Sequence, residues 1–118
     1  MKVLICGGRD YEDWEKFNTM MNNVWESLSK IDEVTEIAHG GATGVDGMAD
    51  DWAWYHGIPV KKFPADWKKH GKAAGPIRNA QMLKEFGPDV VVAFPGGRGT
   101  GDMVQRAKAH GVKVIEVY

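Results

Sequence analysis

Three glycine clusters constrain this chain most: Gly7-Gly8, Gly40-Gly41-Ala42-Thr43-Gly44 and Gly96-Gly97-Arg98-Gly99. Each follows a short extended stretch and leads into a helical pattern. Val3 to Cys6 is a continuous apolar run, which suits a central strand buried on both faces. Trp14, Phe17, Met21, Val24 and Leu28 then recur at helical spacing, with Asp13 placed to cap them. A second strand is expected near Thr35 to His39. A helix carrying Val45, Met48, Ala49, Trp52 and Ala53 follows and stops at Gly57. Ile58 to Phe63 reads as an edge strand, because Lys61 and Lys62 blunt it.

The second half repeats the alternation. A helix is expected from Pro76 to Phe86, with proline where a first helical residue tolerates it. Val90-Val91-Val92 marks another buried strand. Thr100 is placed to cap a helix that Gly111 ends, and Val112 to Val117 is the last strand. Pro64 to Gly75 reads as a long loop, of the kind that often covers a site. Strands alternating with helices pair in parallel through right-handed crossovers. The expectation is one α/β domain over residues 1–118, with a doubly wound five-stranded sheet in order 3-2-1-4-5.

In such a sheet all three glycine clusters lie at the carboxyl ends of strands, on one edge. Free N–H groups and the positive end of a helix dipole attract phosphate there. A tight turn alone would also explain any single cluster; three on one edge favour an anion site. No Gly-Lys-Ser/Thr follows any cluster and Gly7-Gly8 lacks a third spaced glycine, so neither a Walker loop nor a dinucleotide fingerprint is present.

Arg9, Arg78 and Arg98 fall on the same edge, and Arg78 with Asn79 opens a helix. A guanidinium there can hold a phosphate through two parallel bonds. Asp10, Asp46 and Asp102 supply carboxylates, for ribose hydroxyls or for acid–base work. Trp67 sits among Lys68, Lys69, His70 and Lys72, where it either stacks on a base or anchors its loop. His39 is the best-placed histidine. No paired His or Cys spacing supports a metal, and no cofactor is implied.

Composition narrows the class further. A net charge of -1 gives no general pull toward nucleic acid or membrane. The apolar run at the N-terminus is too short for a signal peptide or a membrane span. The single cysteine, Cys6, lies in that run and reads as a buried hydrophobe, which fits a reducing, cytoplasmic setting. Trp54 lies off the apolar stripe of its helix and is compatible with a homodimer interface.

The chain resembles the SLOG superfamily, and within it the small YspA-like group related to YpsA. The resemblance rests on Gly7-Gly8-Arg9-Asp10, on His39 to Asp46, on Ala65-Asp66-Trp67, on Gly71 to Asn79 and on Ala93 to Thr100. It implies a Rossmann-like fold and a nucleotide site built from those loops, from Gly7, Gly8, Arg9, Asp10, Gly40, Gly41, Ala42, Thr43, Gly44 and Asp46 through Trp67, Arg78 and Asn79 to Gly96, Gly97, Arg98, Gly99 and Thr100. Lonely-guy-type enzymes of the superfamily cleave the N-glycosidic bond of nucleoside monophosphates. Their Pro-Gly-Gly-x-Gly-Thr-x-x-Glu motif aligns with Pro95 to Met103, so Met103 takes the glutamate's place. Asp102 is one residue away, turned by about 100° on a regular helix.

Three functions follow as expectations. The first is a sensor or sponge that binds a nucleotide-derived small molecule. The second is an N-glycosidic hydrolase of the phosphoribohydrolase kind, or a phosphoester hydrolase, using Arg78 with Asp102, Asp46 or Asp10. The third is single-stranded nucleic-acid binding, which the overall charge disfavours.

Overall fold

A computed structural model describes all 118 residues. The elements run in chain order as β1 (Lys2–Cys6), α1 (Trp14–Ser29), β2 (Glu36–His39), α2 (Val45–Tyr55) and β3 (Val60–Lys62). Then come α3 (Trp67–His70), a 3-10 turn (Gly71–Ala73), α4 (Ala74–Gln81), β4 (Val90–Ala93), α5 (Arg98–Ala109) and β5 (Lys113–Glu116). The five strands are all parallel in the order β3-β2-β1-β4-β5, as the alternation predicts.

The two-residue period of the strands divides the core into two layers. Val3, Ile5, Ile37, Val90 and Val92 point to one face and meet Phe17 and Met21 of α1 and Trp52 of α2. Leu4, Cys6, Ala38, Val91 and Ala93 point to the other and meet Met82, Phe86, Met103 and Ala107. Fully burying a side chain such as Phe17 or Phe86 stabilises the fold by roughly 1.5–3 kcal/mol. The apolar runs of β1 and β4 are therefore continuous because helices cover both faces. Chain direction across the sheet reverses between β1 and β4, which places the topological switch point beside the first and third glycine clusters. No helix is long and apolar enough to cross a membrane.

Several boundaries differ from the sequence reading. Pro64 to Gly75 is mostly helical: Asp66 caps α3 by accepting the Lys69 N–H on Oδ1 at 3.0 Å. The next helix begins at Ala74, so Pro76 is its third residue. Proline is tolerated there because the first helical N–H groups have no intrahelical partner. That helix continues beyond Gln81 as a wider π turn, Met82–Phe86, and ends on left-handed Gly87. Thr100 is the third residue of α5; Gly97 occupies the cap and makes no side-chain bond. Trp14, expected in the core, is 36% exposed and stacks on Phe17. Asp13 caps α1 as read, accepting from the Lys16 N–H at 3.0 Å.

Candidate functional site

Two backbone bonds stitch the switch point together. Phe94 N–H donates to the Cys6 carbonyl and Gly8 N–H to the Pro95 carbonyl, both at 2.9 Å. The loops after β1 and β4 thus touch backbone to backbone. A Cβ on Gly96 would collide with the Thr100 hydroxyl and lie 2.7 Å from the Gly8 nitrogen. Above this seam opens a cleft of about 950 Å³.

The cleft brings together most of the residues singled out in the sequence. Gly7, Gly8, Arg9 and Asp10 form one wall, and Gly96, Gly97, Arg98, Gly99, Thr100 and Asp102 form another. Gly40, Ala42, Asp46, Arg78 and Asn79 lie between them, and Trp67 flanks the opening. Gly41, Thr43 and Gly44 do not line it. They shape the loop instead: Thr43 Oγ1 donates to the Arg9 carbonyl at 3.2 Å, and Gly41 and Gly44 have positive φ. Tyr11, Lys72, Gly75, Pro76 and Met82 also line the cleft. Tyr11 adjoins the first cluster, Lys72 belongs to the cationic run around Trp67, and Met82 follows Arg78 at the spacing of the Arg-Lys-x-x-Met motif of the Lonely-guy-type enzymes.

Gly97 and Gly99 differ from the other loop glycines. Neither has positive φ, and a Cβ on either would meet nothing within 4 Å. Packing of the chain therefore does not require glycine at these two positions. The first bond of α5 runs from Gly101 N–H to the Gly97 carbonyl, at 3.0 Å. The N–H groups of Arg98, Gly99 and Thr100 are thus the unpartnered ones of a helix start.

Arg78 is tied down on the cleft floor. Its Nη1 donates to the Gly40 carbonyl at 2.7 Å and, more weakly, to that of Phe63 at 3.4 Å. Its Nε donates to Asn79 Oδ1 at 3.1 Å. Burial lowers the Arg78 pKa, Asp46 opposes that change, and the nearby charge of Arg9 adds to it. Asp46 is 6% exposed and accepts the Ala42 N–H on Oδ2 at 3.1 Å. Burial raises its pKa, against the Ala42 bond and the fields of His39 and Arg78.

Asn79 is buried and joins α4 to α5. Its Nδ2 donates to the Gly99 carbonyl and to Asp102 Oδ2, both at 3.0 Å. Arg106 Nε donates to the same Asp102 oxygen at 2.8 Å. Met103, aligned with the glutamate of the hydrolases, is 0% exposed and packs in the core under the cleft. The helix is regular from Arg98, and it is position 102 that faces the cleft without distortion.

Arg9 stacks its guanidinium on Trp67, 4.7 Å from the ring centroid, while Trp67 itself remains 46% exposed. The indole is a wall of the opening, held by Arg9. Burial pushes the Cys6 thiol up to about 12, which keeps it protonated and unreactive. No three His, Cys, Asp or Glu side chains cluster as a metal site would require.

His39 is placed away from the cleft. Its Nδ1 accepts the Gly41 N–H at 3.0 Å, and Nε2 meets Asp50 Oδ1 at 2.9 Å. This arrangement clamps the second glycine loop to α2. The His39 bond, together with Lys62 at 3.5 Å, lowers the Asp50 pKa, partly offset by burial. A carboxylate lowered in the folded state stabilises above its unfolded pKa and loses that contribution as pH falls through the lowered value. Asp50→Asn is therefore expected to melt below the wild type at pH 7, with the gap closing well below about pH 4. Thermal melts across that range check this; a gap independent of pH would contradict it.

The parallel sheet, its switch-point cleft and the glycine-rich helix starts define a Rossmann-like α/β protein. Residues 1–70 match the YspA, cpYpsA-related SLOG family (YAcAr), and the chain belongs to that family. It is also similar to the Gene 61 protein of Mycobacterium phage D29, at 39% identity over 127 positions, covering 97% of this chain and 94% of that protein.

Proposed function

We propose that this protein binds a phosphorylated nucleotide or nucleotide-derived signal in the switch-point cleft, as a sensor or sponge. One observation carries the reading: Gly97 and Gly99, which internal packing leaves unexplained, line the same cleft as the half-buried Arg78 guanidinium. A phosphate laid on the start of α5 accepts from the free N–H groups of Arg98, Gly99 and Thr100 and meets Arg78 from the floor. Bare glycines let it come that close. The exposed Trp67 face and Arg9 suit a base at the opening. Membership of a SLOG family is consistent with a nucleotide-related role.

Asp102 favours one further reading, since it lines the cleft where the aligned Met103 does not. An N-glycosidic hydrolase needs a carboxylate beside the sugar to assist water at the anomeric carbon while the base departs with a proton. Thermal shift with AMP, NAD and ADP-ribose, followed by chromatography of the same samples, tests both readings. A ligand at 100 times its Kd adds about 2.7 kcal/mol of stability. Stabilisation with the ligand recovered intact is the expected result. Release of free base would make the protein an enzyme, and no shift with any of the three would contradict the binding reading.

A further inference from the structure

Resting on that reading, the arrangement of the carboxylates identifies which of them meets the sugar. Asp46 is 6% exposed, and its Oδ2 accepts the Ala42 N–H. Its position beside Arg78 makes it part of the cleft floor. Asp10 is exposed at the rim, and no protein donor fixes its side chain. Asp102 is different. Both of its protein hydrogen bonds, from Asn79 Nδ2 at 3.0 Å and Arg106 Nε at 2.8 Å, fall on one oxygen, Oδ2. The carboxylate is held from two directions, and Oδ1 has no protein partner. The side chain keeps 28% of its exposure, and the residue lines the cleft.

We infer that Asp102 Oδ1 accepts a hydrogen bond from a ribose hydroxyl of the bound nucleotide, so that the cleft selects ribonucleotides over their deoxy counterparts. Asn79 gives the arrangement its geometry. One buried amide contacts Arg78 through Oδ1 and both Gly99 and Asp102 through Nδ2. The phosphate-binding floor and the hydroxyl acceptor are thereby fixed relative to each other. A fixed acceptor discriminates strongly, because a ligand without the hydroxyl desolvates the carboxylate and returns no bond.

The test is calorimetric titration with AMP, 2′-deoxy-AMP and 3′-deoxy-AMP, on wild type, Asp102→Ala and Asp102→Asn. Asparagine keeps the size and an acceptor for Asn79 and Arg106, so one variant retains the fold if alanine disturbs it. The wild type is expected to bind AMP about 10- to 100-fold more tightly than at least one deoxy analogue. Alanine should remove that preference and asparagine reduce it, with the disfavoured analogue binding the alanine variant at least as tightly as wild type. Equal wild-type affinity for all three ligands would overturn the inference and leave the binding reading intact. A preference that survives Asp102→Ala would also overturn it, placing hydroxyl recognition elsewhere. Absence of binding by all three would sink the inference together with the mononucleotide reading beneath it.

Discussion

Replacing Gly44 by alanine is expected to destabilise the fold by roughly 3–5 kcal/mol, combining backbone strain with overpacking. Gly44 has φ 69° and ψ -126°, a region that side chains of L-residues essentially do not enter. Its Cβ would also collide with the Gly8 carbonyl oxygen and lie 2.6 Å from the Arg9 carbonyl carbon. Those are backbone atoms, so no rotamer change relieves the clash. The same loop is held by Val45 N–H donating to the Gly8 carbonyl at 3.1 Å, a bond the displacement would break. Denaturant melts of Gly44→Ala against Gly97→Ala give the comparison. Gly97 has open space around its Cβ position and negative φ, so its alanine variant should lose less than about 1 kcal/mol. Equal losses would mean the close approach at Gly44 is misjudged.

The second large effect concerns Arg78. Arg78→Ala should lower affinity for AMP about 100-fold, the cost of losing a charge-assisted phosphate contact. Arg78→Lys should recover only part of it, since an ammonium cannot reproduce the fork that also reaches the Gly40 carbonyl. The variant also carries a stability signature. Arg78 is among the groups that hold the raised Asp46 pKa down. Without it Asp46 rises further, and a raised carboxylate destabilises increasingly as pH climbs above its unfolded-state pKa, levelling off beyond the folded-state value. The deficit of Arg78→Ala should therefore be larger at pH 8 than near pH 4, where Asp46 is protonated in the folded state of both proteins. Thermal melts at both values, beside calorimetry, separate this cost from lost binding; unchanged AMP affinity would remove Arg78 from the site.

The fold was legible because strand patterning and helix patterning agree over most of the chain. Val90-Val91-Val92 and the run from Val3 to Cys6 announce central parallel strands, and the glycine clusters mark their carboxyl ends. What escaped was short or tertiary. The four residues of α3 carry no apolar stripe, and Asp66 looks like a loop residue until its bond to the Lys69 N–H is seen. His39 drew attention as a titratable group near the edge, yet Asp50 and the Gly41 N–H claim both its nitrogens. The Asn79–Asp102 bond links positions 23 residues apart on two helices, which no local pattern encodes. Which of positions 102 and 103 faces the cleft depends on how α5 is rotated against the sheet. Buried Met103 reports that rotation once the packing is known.

Nucleotide binding in the switch-point cleft is read most directly by a two-dimensional amide NMR titration of the 13.1 kDa protein with AMP. Glycine amides resonate apart from most others, and this chain has 15 glycines spread over cleft and periphery. Saturable shifts are expected for Gly7, Gly97 and Gly99 and for the Arg98 and Thr100 amides. Gly57, Gly87 and Gly111, in turns outside the cleft, should stay in place. Saturable shifts centred elsewhere, with the Gly97–Thr100 amides unmoved, would contradict the assignment of this cleft as the nucleotide site.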